Sequence, residues 1–264
     1  MITIDGSRGE GGGQVLRTCL SLSAITGKPF RIRNIRANRS RPGLRPQHLT
    51  AVRMVAAVCR ANMEGDELDS TELVFEPGSR PVADSYRFDV REASPSGRSA
   101  GSVTLILQAV LWPLVFAAQP SEIIVRGGTF VPFSPPYHYF SEVALPAFTR
   151  FGVSCEASLN AWGWMAEGGG EMKAVITPTT HLRAAVFEPD ESSRVEGIAA
   201  VTNLPSHIPH RMARRAYNLL SEHGFEANVQ PVRARGAGPG AGIVLWMPQA
   251  GFSSLGRKGL PADK

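Results

Sequence analysis

Acidic residues are missing from Gly11 through Met63, a stretch that carries nine arginines and one lysine. That segment therefore sums to +10 while the whole 264-residue chain sums to +5, which leaves −5 for the other 211 residues. Lysine is scarce as well, only four of the 28 basic residues. Charge concentrated in this way implies an anionic partner, and guanidinium groups favour phosphate because they make bidentate contacts that an ammonium does not. The plainer alternatives are a solvated basic face and GC-rich codon usage. Against a solvated helix face, Arg31, Arg33, Arg36, Arg39, Arg41 and Arg45 run across strand and loop rather than at helical spacing.

Other absences narrow the class further. Cys19, Cys59 and Cys155 are odd in number, far apart and at apolar positions, so neither a disulfide framework nor a metal spacing is present, and a reduced cytoplasmic setting is expected. The opening Met-Ile-Thr-Ile-Asp has no basic or apolar leader pattern, so no ordinary secretory signal is expected. The longest apolar run, Val103 to Ala118, contains Thr104, Gln108 and Pro113 and falls short of the roughly 20 residues that span a bilayer, so it reads as a buried helix and no membrane partner is expected. With 43% hydrophobic and 19% charged residues, the chain is an ordinary globular one, with one large domain or a large domain carrying a smaller one.

The pattern along the chain repeats. A Gly-rich turn, Gly6 to Gly13, leads into a helix from Gln14 to Thr26 stopped by Gly27, then a half-buried strand Phe30 to Ile35, a Pro/Gly/Arg loop Asn38 to Pro46 and a helix Gln47 to Ala61. The order recurs from Ser99, with the apolar helix, a strand Ile123 to Val125, a loop Gly127 to Pro136 and a helix Tyr139 to Phe151. A period of roughly 90 residues is too long for a solenoid and predicts duplicated βαβ-type units, with Glu72 to Pro77 and Tyr86 to Val90 as intervening strands. After a composition change near 178–191 comes a small α/β insert: strand Val195 to Val201, helix Ser206 to His223 capped by Ser206 and stopped by Gly224, and strands Ala227 to Val232 and Gly242 to Met247. Gly251 to Gly256 reads as the opening of another unit, incomplete at Lys264. The expected division is 1–183, 184–250 and a return to the large domain over 251–264.

Residues Gly9 to Gln14 fit the physics of an anion site, because backbone N–H groups at a Gly-rich turn point out of a helix N-terminus that carries about half a positive charge. Many such turns merely pack helix on strand, and neither common nucleotide fingerprint matches. Gln108, an amide on an apolar helix, costs about 1 to 3 kcal/mol if buried without partners, so either a ligand-site contact or a main-chain contact near Pro113 must satisfy it.

Taken together the motifs resemble the RNA 3′-terminal phosphate cyclase family. They are Gly9-Glu10-Gly11-Gly12-Gly13-Gln14-Val15-Leu16-Arg17, Ile35-Arg36-Ala37-Asn38-Arg39, Pro42-Gly43-Leu44-Arg45, Gln47-His48-Leu49, Ser99-Ala100-Gly101-Ser102, Arg126-Gly127-Gly128-Thr129, Pro135-Pro136, Gly168-Gly169-Gly170-Glu171 and Gly251 to Gly256. The resemblance implies an α/β (α+β) fold of repeated βαβαββ units with a small inserted domain. It implies a ligase that uses ATP and a divalent metal, Mg or Mn, to adenylylate an enzyme histidine, pass AMP to an RNA 3′-phosphate end and close a 2′,3′-cyclic phosphate. By motif position, Glu10 is the metal- and phosphate-proximal carboxylate, with the alternative of a charge partner for Arg17. Arg17, Arg36 and Arg39 are phosphate contacts, Gln47 and His48 open a helix beside the phosphates, and Gln14, Gln108 and Pro136 contact nucleotide. Pro135, Pro136, Phe133 and Tyr137 are candidates to flank an adenine, with core or loop packing as the alternative for the aromatics. Departures are Ala166-Glu167 before the third glycine cluster and a long Arg91 to Arg98 segment. None of His48, His138, His181, His207, His210 or His223 stands in the C-terminal context of the family's nucleophile, so the nucleophilic histidine is expected to be absent from this chain. A non-catalytic RNA-binding relative is the alternative. The third possibility is a small-molecule phosphate enzyme on the architecture of the enolpyruvyl transferases.

Overall fold

The computed structural model describes residues 1–188, 192–257 and 259–261. Two units share one topology. In the first, β1 (Ile2–Asp5), α1 (Gly13–Thr26), β2 (Phe30–Arg33), α2 (Pro46–Cys59), β3 (Asn62–Glu64) and β4 (Leu73–Glu76) form a sheet in the order β1-β2-β4-β3. The second has β5 (Ser85–Asp89), α3 (Val103–Val115), β6 (Ser121–Gly127), a helical stretch from Tyr137 to Arg150, β7 (Ser154–Ala161) and β8 (Gly170–Thr177), in the order β5-β6-β8-β7. In each, one parallel pair is followed by two antiparallel ones, so the sequence repeat is a repeat of βαβαββ units.

Local chemistry sets the helix ends. Gly27 closes α1 in the left-handed region at φ 69°, its N–H bonded to the Ser23 carbonyl. Pro46 opens α2, where a missing N–H costs nothing. Ser102 caps α3 by accepting from the Leu105 N–H. The helices α1, α2 and α3 pack on one another, and Val52, Met54, Val55 and Val58 of α2 share one buried core with Ile106, Leu107, Leu111 and Leu114 of α3. Each such side chain contributes about 1.5 to 3 kcal/mol. The helix expected at Tyr139 to Phe151 begins two residues earlier, as α4 (Tyr137–Tyr139), and widens into a π-helical turn at Phe140–Ala144 before α5 (Leu145–Arg150). Pro146 has no N–H to give the preceding turn, and the wide turn takes up the mismatch.

The insert forms its own sheet. Its elements are β9 (Arg194–Thr202), α6 (His207–Glu222), β10 (Glu226–Ala234), β11 (Gly240–Met247) and β12 (Ala250–Leu255), in the order β10-β9-β11-β12. Ser206 stands at the start of α6 but its side chain makes no capping bond. The strand pairing also corrects the expected return to the large domain at residue 251. Gly251 to Leu255 pair antiparallel with β11, the turn at Pro248 and Gln249 bringing the chain straight back on its neighbour. Residues 258 and 262–264 of that segment lie outside the described residues.

An aromatic cluster joins insert and body. Trp162 and Trp164 stack at 5.5 Å, Phe130 stacks on Trp164 at 5.0 Å, and the His138 ring lies between Trp162 at 5.1 Å and Trp246 of β11 at 6.4 Å. Gly240 is required there, since a side chain at that position would overlap the Trp164 ring.

Candidate functional site

The Gly-rich turn after β1 takes left-handed conformations at Gly9 (φ 64°) and Gly11 (φ 56°) and delivers Gly12 as the extended residue before α1. Asn38 anchors the turn by donating from Nδ2 to the Ser7 carbonyl at 2.9 Å. The first turn of α1 thus presents unpaired N–H groups with no acidic side chain among them.

Around this helix end the structure gathers most of the residues singled out by sequence. Arg17 is 7% exposed and donates from NH2 to Gln14 Oε1 at 2.8 Å and from Nε to Gln108 Oε1 at 3.3 Å. No carboxylate pairs with it among the described residues. Burial pulls the guanidinium down to about 10, so Arg17 is a desolvated cation held by two neutral amides. That contact also answers the question posed by Gln108, whose amide oxygen is satisfied by a side chain from another unit and not by main chain near Pro113.

The alternative raised for Glu10, a charge pair with Arg17, is not formed among the described residues. Glu10 Oε2 accepts from Arg39 NH2 at 3.0 Å instead, and the Glu10 side chain remains 87% exposed. Arg36 adopts φ 56°, unusual for a residue with a side chain, and is fixed by NH1 bonds to the carbonyls of Arg41 at 2.6 Å and Gly43 at 3.0 Å. Burial, Arg45 and Arg39 together lower its pKa. Gln47 spends its amide oxygen on the Ser102 N–H at 2.8 Å, joining the two units.

His48 is 8% exposed and presses against Gly13. Its Nδ1 accepts from the Arg45 N–H at 3.3 Å, which leaves Nε2 as the protonated nitrogen. Burial, with Arg36, Arg17 and Arg45 close by, drives its pKa down to about 3. The imidazole is neutral at physiological pH, accepting at Nδ1 and carrying its proton on Nε2. An unfolded histidine titrates near 6.5, so below that pH the unfolded chain takes up a proton that the folded chain refuses. Stability is expected to fall as pH drops from about 6.5 towards 3, by up to about 1.4 kcal/mol per pH unit. His138, held down to about 4 by burial, adds a contribution of the same sign. Urea unfolding at pH 7 and pH 5 checks this: His48→Gln loses less stability between the two than the parent, and equal losses would refute the assignment.

Two hollows meet at the Gln14, Arg17 and Gln108 side chains. The larger, about 760 Å³, has Thr104, Pro135, Phe133 and Tyr139 in its wall, and the smaller, about 330 Å³, has Ser21, Leu22 and Trp112. The larger is of a size that holds a nucleotide. Phe133 is fully exposed at its rim. Pro136 and Tyr137 are not in its wall: Pro136 is buried at the start of α4 and the Tyr137 hydroxyl donates to the Ala157 carbonyl at 2.9 Å, facing the sheet. Pro135 and Tyr139 take those places. Sequence reading passed over Tyr139 and Thr104, although Thr104, which donates to the Pro135 carbonyl at 2.7 Å, stands two residues after the capping Ser102.

No three metal-ligating side chains gather among the described residues, and none of their helices is long and apolar enough to cross a membrane.

The profile of a family described as RNA 3′-terminal phosphate cyclase matches residues 8–201, and one described as RNA 3′-terminal phosphate cyclase (RTC), insert domain, matches residues 187–264. The chain is 50% identical to an RNA 3′-terminal phosphate cyclase of Gloeothece citriformis, over 100% of this chain and 76% of that protein. It is 46% identical to one of Methylococcus capsulatus, covering 74% of it, and 43% identical to one of Archaeoglobus fulgidus, covering 77%.

Proposed function

The chain belongs to the RNA 3′-terminal phosphate cyclase family, and from that premise we propose that it serves the ATP-dependent conversion of an RNA 3′-terminal phosphate to a 2′,3′-cyclic phosphodiester. The observation that carries the reading is the desolvated Arg17 cation, held by Gln14 and Gln108 with no carboxylate among the described residues, at the mouth of a nucleotide-sized groove. A buried cation without a counter-ion is unfavourable unless an anion completes the site. In this reading Arg17, with the α1 N-terminus and the neutral His48 Nε2–H, meets phosphate oxygens. Arg39 and Arg36 neutralise further phosphate charge, Gln108 and Pro135 meet the nucleoside, and Gln47 holds the two units in register.

A divalent cation bound between Glu10 and the phosphates would offset charge as the phosphoryl bonds change. A histidine takes AMP from ATP with release of pyrophosphate and passes it to the 3′-phosphate, and the neighbouring 2′-hydroxyl then attacks that phosphorus, releasing AMP and closing the ring. None of the six histidines of this chain suits the relay: His48 is buried with Nδ1 accepting from the Arg45 N–H and His138 is stacked on Trp162, while the other four lie outside the site's residues. The reading assigns the relay to a residue outside these 264.

The test is binding of one oligoribonucleotide ending in 3′-phosphate or 3′-hydroxyl. The phosphate end is expected to bind at least about tenfold more tightly, as one or two charge-assisted contacts provide, and Arg39→Ala to reduce the preference. Equal affinity for the two ends would refute the reading. Glu10→Gln provides a second check. The exposed pair is worth about 0 to 1 kcal/mol, so melting is expected to stay unchanged, while the gain in ATP affinity on adding Mg is lost.

A further inference from the structure

We propose that the outer face of α6, continued by the end of β10, is a docking strip for the phosphodiester backbone of the RNA whose 3′ end enters the groove, an inference that rests on the function proposed above. The charge distribution singles this surface out. Residues 64–202 hold nine basic side chains against eighteen acidic ones, whereas 203–260 hold seven basic ones against only Glu222 and Glu226. The sign of the chain's charge therefore reverses at the start of α6.

On α6 that charge is ordered. His207, His210, Arg211, Arg214 and Arg215 recur at three- and four-residue spacing and are all exposed, while Pro209, Met212 and Ala213 are buried beneath them. The helix has no acidic residue before Glu222. Arg214, Arg215, Arg233 and Arg235 take part in no ion pair among the described residues. By contrast, Arg91, Arg98 and Arg126 of the body are each paired with a carboxylate.

Position links the strip to the site. Arg233 donates to the Leu204 carbonyl at 2.8 Å and the Asn203 amide to the Gly236 carbonyl at 2.7 Å, so the end of β10 and the start of α6 form one edge. Next along the chain, Gly236 pairs with Trp162, Gly238 packs on Glu167, and Gly168 pairs with Ser99. Three residues on, Ser102 receives the Gln47 bond at the groove. A strand leaving the groove past 98–102 thus meets Arg235 first and then the positive end and arginines of α6, a helix about 24 Å long. RNA is favoured over an acidic protein because the substrate of the adjoining groove itself carries a phosphodiester chain away from its end.

The experiment compares a 3′-phosphorylated trinucleotide with a 3′-phosphorylated RNA of about a dozen nucleotides, bound to the parent chain and to R214Q/R215Q/R235Q, with thermal melting as the folding control. The longer RNA is expected to bind the parent more tightly. In the triple variant its affinity is expected to fall about tenfold and the slope of log affinity against log salt to flatten by about 2. Trinucleotide affinity and melting stay unchanged. Length-independent binding by the parent, or an unaltered salt slope in the variant, would overturn the strip while leaving the terminal-phosphate site standing. Failure of the parent to prefer a 3′-phosphate over a 3′-hydroxyl would overturn both. Competition by polyglutamate with no effect of RNA length would reassign the strip to an acidic protein.

Discussion

Replacing Gly13 by alanine is expected to weaken binding of ATP and of a 3′-phosphorylated RNA end by about 100-fold, the order of loss that a misplacement of about 1 Å brings to a preorganised site. An added Cβ would fall against Nε2 of His48, 2.7 Å from its Cδ2 and 3.0 Å from an Arg17 nitrogen. The imidazole cannot withdraw, because it is buried and its far nitrogen accepts from the Arg45 N–H. In an open helix alanine would gain up to about 1 kcal/mol over glycine, but overpacking costs about 1 to 3 kcal/mol and reverses the sign. The double variant Gly13→Ala/His48→Ala separates the two consequences. Removing the ring restores room and so recovers melting temperature, while phosphate affinity stays low because the donor is gone. A single variant that binds and melts like the parent would show that the turn tolerates movement.

The second large effect concerns Arg17. Substitution by methionine, which keeps an unbranched stem, is expected to lower affinity for nucleotide phosphates by about 100-fold, as loss of one preorganised charge-assisted donor does, yet to leave stability within about 1 kcal/mol of the parent. Two terms oppose each other: the variant no longer buries a cation without a carboxylate partner, and it leaves the Gln108 oxygen without its donor. Inorganic phosphate added during thermal unfolding gives the decisive comparison. The parent's transition should rise with phosphate, since a ligand that binds only the folded state stabilises it, and that of Arg17→Met should not. A variant that melts far below the parent and still responds to phosphate would make Arg17 a packing residue.

What was legible in the sequence was local. Gly9 to Gln14 announced the turn and the helix behind it, and the +10 window marked the face proposed to bind anions, because glycine conformation and unbalanced charge act over a few residues. The repeat was legible because each unit must bury the same apolar helices. Pairings across the chain were not. Arg17 is satisfied by Gln108, 91 residues away, and Glu10 by Arg39, 29 residues away, and nothing in spacing distinguishes that second partner from Arg17 on the adjoining helix. The strands β7 and β8 escaped notice although their burial alternates regularly, since each joins its sheet only through neighbours distant in sequence. Residues 251–255 misled because a Gly/Ser-rich stretch had already opened two units, whereas here it closes a sheet.

The stacked cluster that joins insert to body also determines what light can report. Three of the four tryptophans, Trp162, Trp164 and Trp246, contribute to it, and the fourth, Trp112, stands on α3 beside Phe148 at the wall of the smaller hollow. Intrinsic emission is therefore weighted towards the joint between the two bodies. A nucleotide entering the larger groove without shifting that joint would register mainly through Trp112, whereas a movement of the insert would change the other three together, so comparing the parent's emission with that of Trp112→Phe separates binding from any shift at the joint.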